Sequence, residues 1–193
     1  MTELTYRTLE LSDIKKIEPL HMKSLQEGLL YEMGEKYIGL LYINGLKSGN
    51  SFGFIAENEK KEIVGMAFAT HDIYKLMLQL MTSPTFVTGL ARKIFQIRKL
   101  YPSLGKKPHV RQEFLMLFIE QKYRNLKTAL RLMQLIDEKY EKLGVKKYSL
   151  EVEEKNTTAN MLYQYFGFKK THEVGHEGSK RIFYIKDTGG LHE

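Results

Sequence analysis

Apolar and polar positions alternate from Leu4 to Leu9, the period of a strand with one buried face. Ser12 and Asp13 then have the character of a helix start. The helix they open meets Pro19, which should end it or bend it unless the helix is short. Tyr37, Ile38, Leu40 and Leu41 gather on one side of a second helix, from about Glu35 to Lys47. Strands are predicted from Ser51 to Glu57 and from Glu62 to Thr70, joined through the polar turn Glu57-Asn58-Glu59-Lys60-Lys61 as a hairpin.

Between 73 and 107 the period changes. Leu76 and Leu80, then Leu90, Ile94 and Ile97, recur at helical spacing, with Pro84 and Pro102 as punctuation. This segment reads as a helical insertion. Val110 to Ile119 is too continuously apolar for a strand with one wet face, so it is expected at the centre of a sheet. A long helix from Lys127 to Leu143 stops at Gly144, and Lys147 to Glu153 is a strand. Asn156 caps a short helix that runs to Phe166 and stops at Gly167. Phe168 to Val174 and Arg181 to Lys186 close the chain as a hairpin. Without the insertion the order is β-α-α-β-β-β-α-β-α-β-β, which predicts an α/β fold with a mixed sheet and helices on its faces.

The chain has 193 residues, enough for one domain over 1–193 with a sizeable core. It contains no cysteine, which excludes disulfides, thiolate metal sites and a cysteine nucleophile. The start, MTELTYRTLE, lacks a signal pattern, and no apolar run approaches a membrane span; the expected location is the cytoplasm. His21, His71 and His109 lack metal-ligand spacing, so no metal is expected. The net charge is +7 and unevenly spread. From Ile73 to Gln112 there is no acidic residue, but there are eight basic ones: Lys75, Arg92, Lys93, Arg98, Lys99, Lys106, Lys107 and Arg111. Such a patch suits either an ordinary solvated face or attraction of an anionic partner.

Candidate chemistry concentrates at LFIEQKYRNLKTALRLM, residues 117–133. A buried strand runs through a short basic loop into a long helix. The first turn of that helix offers free N–H groups and the positive end of its dipole, a natural seat for a pyrophosphate. The next unit, LEVEEKNTTANMLYQYFGFKK, has a short, well-punctuated helix with two tyrosines, Tyr163 and Tyr165, near its end.

Together these two units resemble the GCN5-related N-acetyltransferase (GNAT) family. The family's donor-binding motif reads R/Q-x-x-G-x-G/A, and Arg124, Lys127 and Ala129 occupy its marked places. Its second motif is matched without a gap by Leu150, Glu151, Val152, Asn156, Ala159, Leu162, Tyr163, Gly167 and Phe168. The resemblance covers the sheet and its helices, but not residues 73–107. It implies a mostly antiparallel sheet and acetyl transfer from acetyl-CoA, bound as the acyl donor, to an amine. The backbone of Leu117, Phe118 and Ile119 would pair with the pantetheine like an added strand. The amides of Arg124, Asn125, Leu126, Lys127, Thr128, Ala129 and Leu130 would hold the pyrophosphate, and Asn156 would touch the pantetheine arm. Tyr163 would donate a proton or a hydrogen bond to the departing thiolate. Tyr165, about 200° further round the helix, is expected to pack instead.

Glu113 and Glu151 are the candidate bases, with a structural role as the alternative for each. Glu27, Tyr31 and Glu35 fall where family members often contact acceptors, and His71 and His109 flank the insertion and could line the acceptor cleft. Lys127 departs from the motif's glycine; its side chain could crowd the pyrophosphate or neutralise it. The leading expectation is an N-acetyltransferase for a primary amine of a small molecule or peptide. The alternative is a non-catalytic module of the same fold that docks an anionic partner, nucleic acid or protein, through the basic insertion. A homodimer is a family-level expectation.

Overall fold

The computed structural model describes residues 3–25, 29–100, 110–175 and 180–189, without the side chains of 29, 30 and 93–100. Strands β1 (Thr5–Thr8), β2 (Ser51–Glu57), β3 (Ile63–Thr70), β4 (Glu113–Ile119), β5 (Lys147–Glu153), β6 (Lys169–Val174) and β7 (Arg181–Asp187) form one sheet. Its order is β1-β2-β3-β4-β5-β7-β6. Every neighbouring pair is antiparallel except β4 and β5. The helices are α1 (Ile14–Ser24), α2 (Leu29–Met33), α3 (Glu35–Lys47), α4 (Ile73–Met81), α5 (Pro84–Leu100), α6 (Leu126–Lys142) and α7 (Thr157–Tyr165).

Two cores cover the two faces of the sheet. Leu132, Met133, Ile136 and Tyr140 of α6 pack with Phe114, Ile119, Tyr148, Leu150 and Phe168 on one side. Ile14, Ile17, Ile38, Leu41 and Tyr42 of α1 and α3 pack with Met66, Phe68 and Phe118 on the other. Ile73, Leu76 and Leu80 of α4 join this second core. The insertion is thus anchored on the α3 side. Its ends are also clamped together: Ile73 N–H bonds to Arg111 C=O at 2.9 Å, and the Arg111 guanidinium donates to Asp72 at 2.8 Å. Asp72 itself caps α4, accepting from the amides of Tyr74 and Lys75.

Three expectations need correction. Pro19 neither ends nor splits its helix, which runs from Ile14 to Ser24. Pro19 is on the exposed side of α1, where the carbonyl it cannot serve has water available. Secondly, β4 is central as expected, but Leu115, Met116 and Leu117 are only half-buried, because its neighbour β5 leaves it (below). Thirdly, Tyr165 does not pack: it is 67% exposed. On a two-turn helix docked by one face, the side opposite Tyr163 is solvent.

Candidate active site

Strand β4 and strand β5 touch at one register position, Glu113 opposite Ser149. Ser149 N–H donates to Gln112 C=O at 2.9 Å, and its hydroxyl donates to the same carbonyl at 3.2 Å. Beyond that point no ladder joins them, so the sheet opens between 114–119 and 150–153. On the other side of β4 the ladder to β3 continues to Ile119. Glu120 N–H donates to Val64 C=O at 2.7 Å. Antiparallel main-chain groups alternate in direction, so Phe118 faces β3 as Glu120 does. The main-chain groups of Leu117 and Ile119 therefore turn toward the side that β5 has vacated. A β-bulge accompanies the opening: Phe68 faces Met116 and Ala69 faces Phe114, leaving Leu115 as the extra residue. Its consequence is visible in the packing, where the consecutive residues Leu115 and Met116 both meet the α1–α3 core.

At the far end of the opening the chain turns into α6. Asn125 is the N-cap, and its Oδ1 accepts from Thr128 N–H at 2.9 Å. Ala129 N–H bonds to Asn125 C=O. Among the described residues, the amides of Asn125, Leu126 and Lys127 have no acceptor. Of the amides expected from 124 to 130, these three are thus available to an anion, while Arg124, Thr128 and Ala129 are already engaged. The Arg124 guanidinium lies across the Ile119 carbonyl, with Nε and Nη2 at 3.4 and 3.3 Å. Lys127, at the second position of the helix, is exposed. A groove on the outer side of this turn is lined by Tyr6, Leu126, Lys127, Leu130, Arg131 and Gln134.

At the near end stands Tyr163. Its ring meets Phe114 edge-on at 6.3 Å between centroids and Phe168 at 5.9 Å. The aromatic chain continues through Phe168–Tyr148 (5.2 Å), Tyr148–Tyr140 (4.8 Å) and Tyr140–Phe52 (5.1 Å). Tyr163 is half-buried, and its hydroxyl makes no hydrogen bond among the described residues. Burial against these rings pushes the phenol's pKa up from its ordinary value of 10.0, so the hydroxyl keeps its proton at neutral pH.

Helix α7 is held in place by a residue that the sequence reading missed. Asn160 is buried and donates through Nδ2 to the carbonyls of Glu153, Glu154 and Asn156. Its Oδ1 accepts from Tyr184 Oη at 2.8 Å. The signal available in the sequence was an amide one turn beyond the Asn156 cap, on the helix's inward face. Asn156 itself spends its Oδ1 on the Ala159 amide, at 3.1 Å.

The candidate bases occupy different settings. Glu113 is 6% exposed, at the closed end of the opening, and its carbonyl accepts from Tyr140 Oη at 3.2 Å. Glu151, facing Phe183 in the ladder, is ion-paired with Arg181, which also reaches Glu153 at 3.5 Å. The expected acceptor residues are not gathered at one point. His71 stacks near Phe52 (5.0 Å) and Tyr140 (6.2 Å) on the α6 side, where burial lowers its pKa and Lys139 adds to the effect. Tyr31 is half-buried on α2, which packs against α3 and α5 on the other side. Glu35 lines a groove between α1 and α3 with Glu18, Lys36, Gly39, Leu40 and Ile43. Burial, and secondarily the Glu35 carboxylate, raises the pKa of Glu18 there. Glu27 and His109 lie outside the described residues. No group of three or more metal-ligating side chains occurs among the described residues.

Residues 104–182 match the family model for an acetyltransferase (GNAT) domain. The fold is also that of solved GNAT structures. A spermidine N-acetyltransferase chimera from Vibrio cholerae and hSSAT is 17% identical, with TM-score 0.63, covering 97% of this chain and 96% of that one. The ribosomal-protein-S18-alanine N-acetyltransferase of Escherichia coli is 13% identical, with TM-score 0.63 and coverage of 96% and 94%. A chain of the NatC complex bound to Gag peptide and CoA is 17% identical, with TM-score 0.64 and coverage of 96% and 98%. Among curated proteins none matches. Over residues 104–182 this chain thus resembles a GNAT acetyltransferase domain, and its mixed, mostly antiparallel sheet is the fold of these structures.

Proposed function

We propose that this protein is an acetyl-CoA-dependent N-acetyltransferase acting on a primary amine of a small molecule or peptide, in the cytoplasm. One observation carries the reading: the sheet opens after Glu113–Ser149, and among the described residues three amides at the start of α6 have no acceptor and the Tyr163 ring, its hydroxyl unbonded, lies against Phe114 of β4. Bound acetyl-CoA supplies an activated acetyl thioester. The main-chain groups of Leu117 and the Ile119 N–H suit an extended pantetheine arm, which would complete the sheet as a missing strand would, while the Ile119 carbonyl is taken by Arg124. The amides of Asn125, Leu126 and Lys127, at the positive end of the α6 dipole, suit the pyrophosphate. The exposed Lys127 side chain leaves its own amide accessible, which favours charge neutralisation over crowding.

Tyr163 gives its proton to the leaving sulfur as the C–S bond breaks and the amine nitrogen bonds to the acetyl carbon. We assign uptake of the amine proton to Glu113, at the buried end of the gap, directly or through water. Glu151, engaged by Arg181, is assigned to holding β5 to β7. Tyr31, together with the Glu18–Glu35 groove, is the side from which a cationic amine would be drawn. Some relatives' names point the same way, since spermidine and an N-terminal alanine are both amines. The test is calorimetric titration with acetyl-CoA, followed by an acceptor screen that reads release of free CoA. Absence of binding at about millimolar donor, a free energy near 4 kcal/mol, overturns the proposal.

A further inference from the structure

Helix α4 is apolar on both sides. Ile73, Leu76 and Leu80 are buried against the core. Tyr74, Met77, Leu78 and Met81 are exposed, Leu78 by 68%. Their spacing of three, four and seven places them in one stripe along the helix. Four large apolar side chains in register on solvent are not the scattered exposure of an ordinary surface. Val87 on α5 is exposed as well. The acid at the head of α4, Asp72, is taken up by Arg111 and by the helix cap. Lys75 on α4 and Arg92 on α5 are exposed, and in sequence the interval from Ile73 to Gln112 holds eight basic residues and no acidic one. The clamp of Asp72 on Arg111 and the buried face of α4 hold the stripe outward on a fixed platform.

We propose that α4 docks this protein on an anionic lipid bilayer surface. Tyr74, Met77, Leu78 and Met81 enter the boundary between headgroups and acyl chains, and Lys75 and Arg92 meet the anionic headgroups. Charge decides against a second copy of the chain, since the sequence interval that carries the stripe is basic and offers a copy of itself no acidic residue to pair with. Chemistry decides against nucleic acid, because Met77, Leu78 and Met81 gain nothing at a phosphate backbone but gain in an acyl layer. A convex stripe of flexible Met and Leu side chains also suits a fluid surface better than a pocket on a folded partner. Among the described residues no helix is long and apolar enough to cross a membrane, so the contact is peripheral.

Vesicle co-sedimentation of the full chain tests this. Vesicles of phosphatidylcholine with about 30% phosphatidylserine should retain at least about ten-fold more protein than phosphatidylcholine alone. The difference should collapse in about 0.5 M NaCl, where charge attraction is screened. Leu78→Ser should cut binding about ten-fold at unchanged melting temperature, and Lys75→Glu with Arg92→Glu should do the same through charge. Four results would overturn the proposal: no retention on phosphatidylserine vesicles at about millimolar lipid, equal retention on both vesicle types, a dimer that Leu78→Ser dissolves, or binding to a duplex oligonucleotide without binding to vesicles.

Discussion

Replacing Tyr163 by Phe isolates the hydroxyl on which the catalytic proposal turns. The ring stays, and with it the contacts to Phe114 and Phe168. The hydroxyl makes no hydrogen bond among the described residues, so its loss orphans no partner, and stability should move by less than about 0.5 kcal/mol. The rate is another matter. A positioned general acid contributes roughly 10²–10⁴-fold, or about 3–5 kcal/mol of barrier. A thiol leaves more readily than an alcohol, its free pKa being near 8.5, so the lower end applies here. The expected loss in kcat is about 10²-fold, with the acetyl-CoA dissociation constant unchanged within about two-fold. Burial raises the phenol's pKa, so this tyrosine cannot produce an alkaline limb in the wild-type profile below about pH 10. The assay is CoA release under saturating donor and acceptor, with calorimetry and a thermal melt on the same preparations. Wild-type turnover in the Phe variant, with binding and melting intact, would refute the donor role and return Tyr163 to the aromatic wall.

Three further outcomes follow from the packing. His21 is buried, shares a 2.6 Å hydrogen bond with Tyr42, and has its pKa lowered from 6.5 to about 4 by burial. The unfolded chain therefore binds the extra proton first, and stability present above pH 6.5 is lost as pH falls toward 4, by up to about 3 kcal/mol. Urea unfolding at both ends of this window should show the loss in wild type but not in His21→Gln; an equal slope in both refutes it. Breaking the buried Lys186–Asp137 pair (3.0 Å) by Asp137→Ala should cost about 3–5 kcal/mol, and adding Lys186→Met should restore part of it, as a double-mutant cycle of melting curves reads. Asn160→Ala frees three carbonyls and the Tyr184 hydroxyl, and should lower stability by about 2–3 kcal/mol and kcat with it, whereas Asn156→Ala should cost about 1 kcal/mol, that of a helix cap.

The elements were legible where their punctuation is local. Helix α3 and strand β5 have the predicted bounds, and α6 and α7 differ from them by a residue at each end. Asn156 acts through its side chain on an amide three residues away and Gly144 through its own left-handed backbone, and sequence reports such local effects directly. What sequence could not report is the departure of one strand from another. The run from Val110 to Ile119 looks the same whether or not β5 accompanies it, and a continuous apolar run has no alternation for Leu115 to break. The candidate site was therefore readable as a motif and unreadable as a shape. Asn160 was missed for a related reason: its Oδ1 is held by the Tyr184 hydroxyl, which only the fold brings to it.

The opening also has to be kept open, because two adjacent strands with free edges would otherwise gain by pairing. At the closed end, the Tyr140 hydroxyl reaches both Thr70 C=O (2.7 Å) and Glu113 C=O (3.2 Å), tying the start of β4 to β3 and α6. At the open end, Arg124 occupies the Ile119 carbonyl that β5 would need. Asn160 meanwhile takes the Glu153 carbonyl at the end of β5. Both edges are thus partly satisfied by side chains rather than by each other. Tyr140, Arg124 and Asn160 hold groups at both ends of the gap through bonds within the chain, the kind of preorganisation that the proposed extended substrate would use.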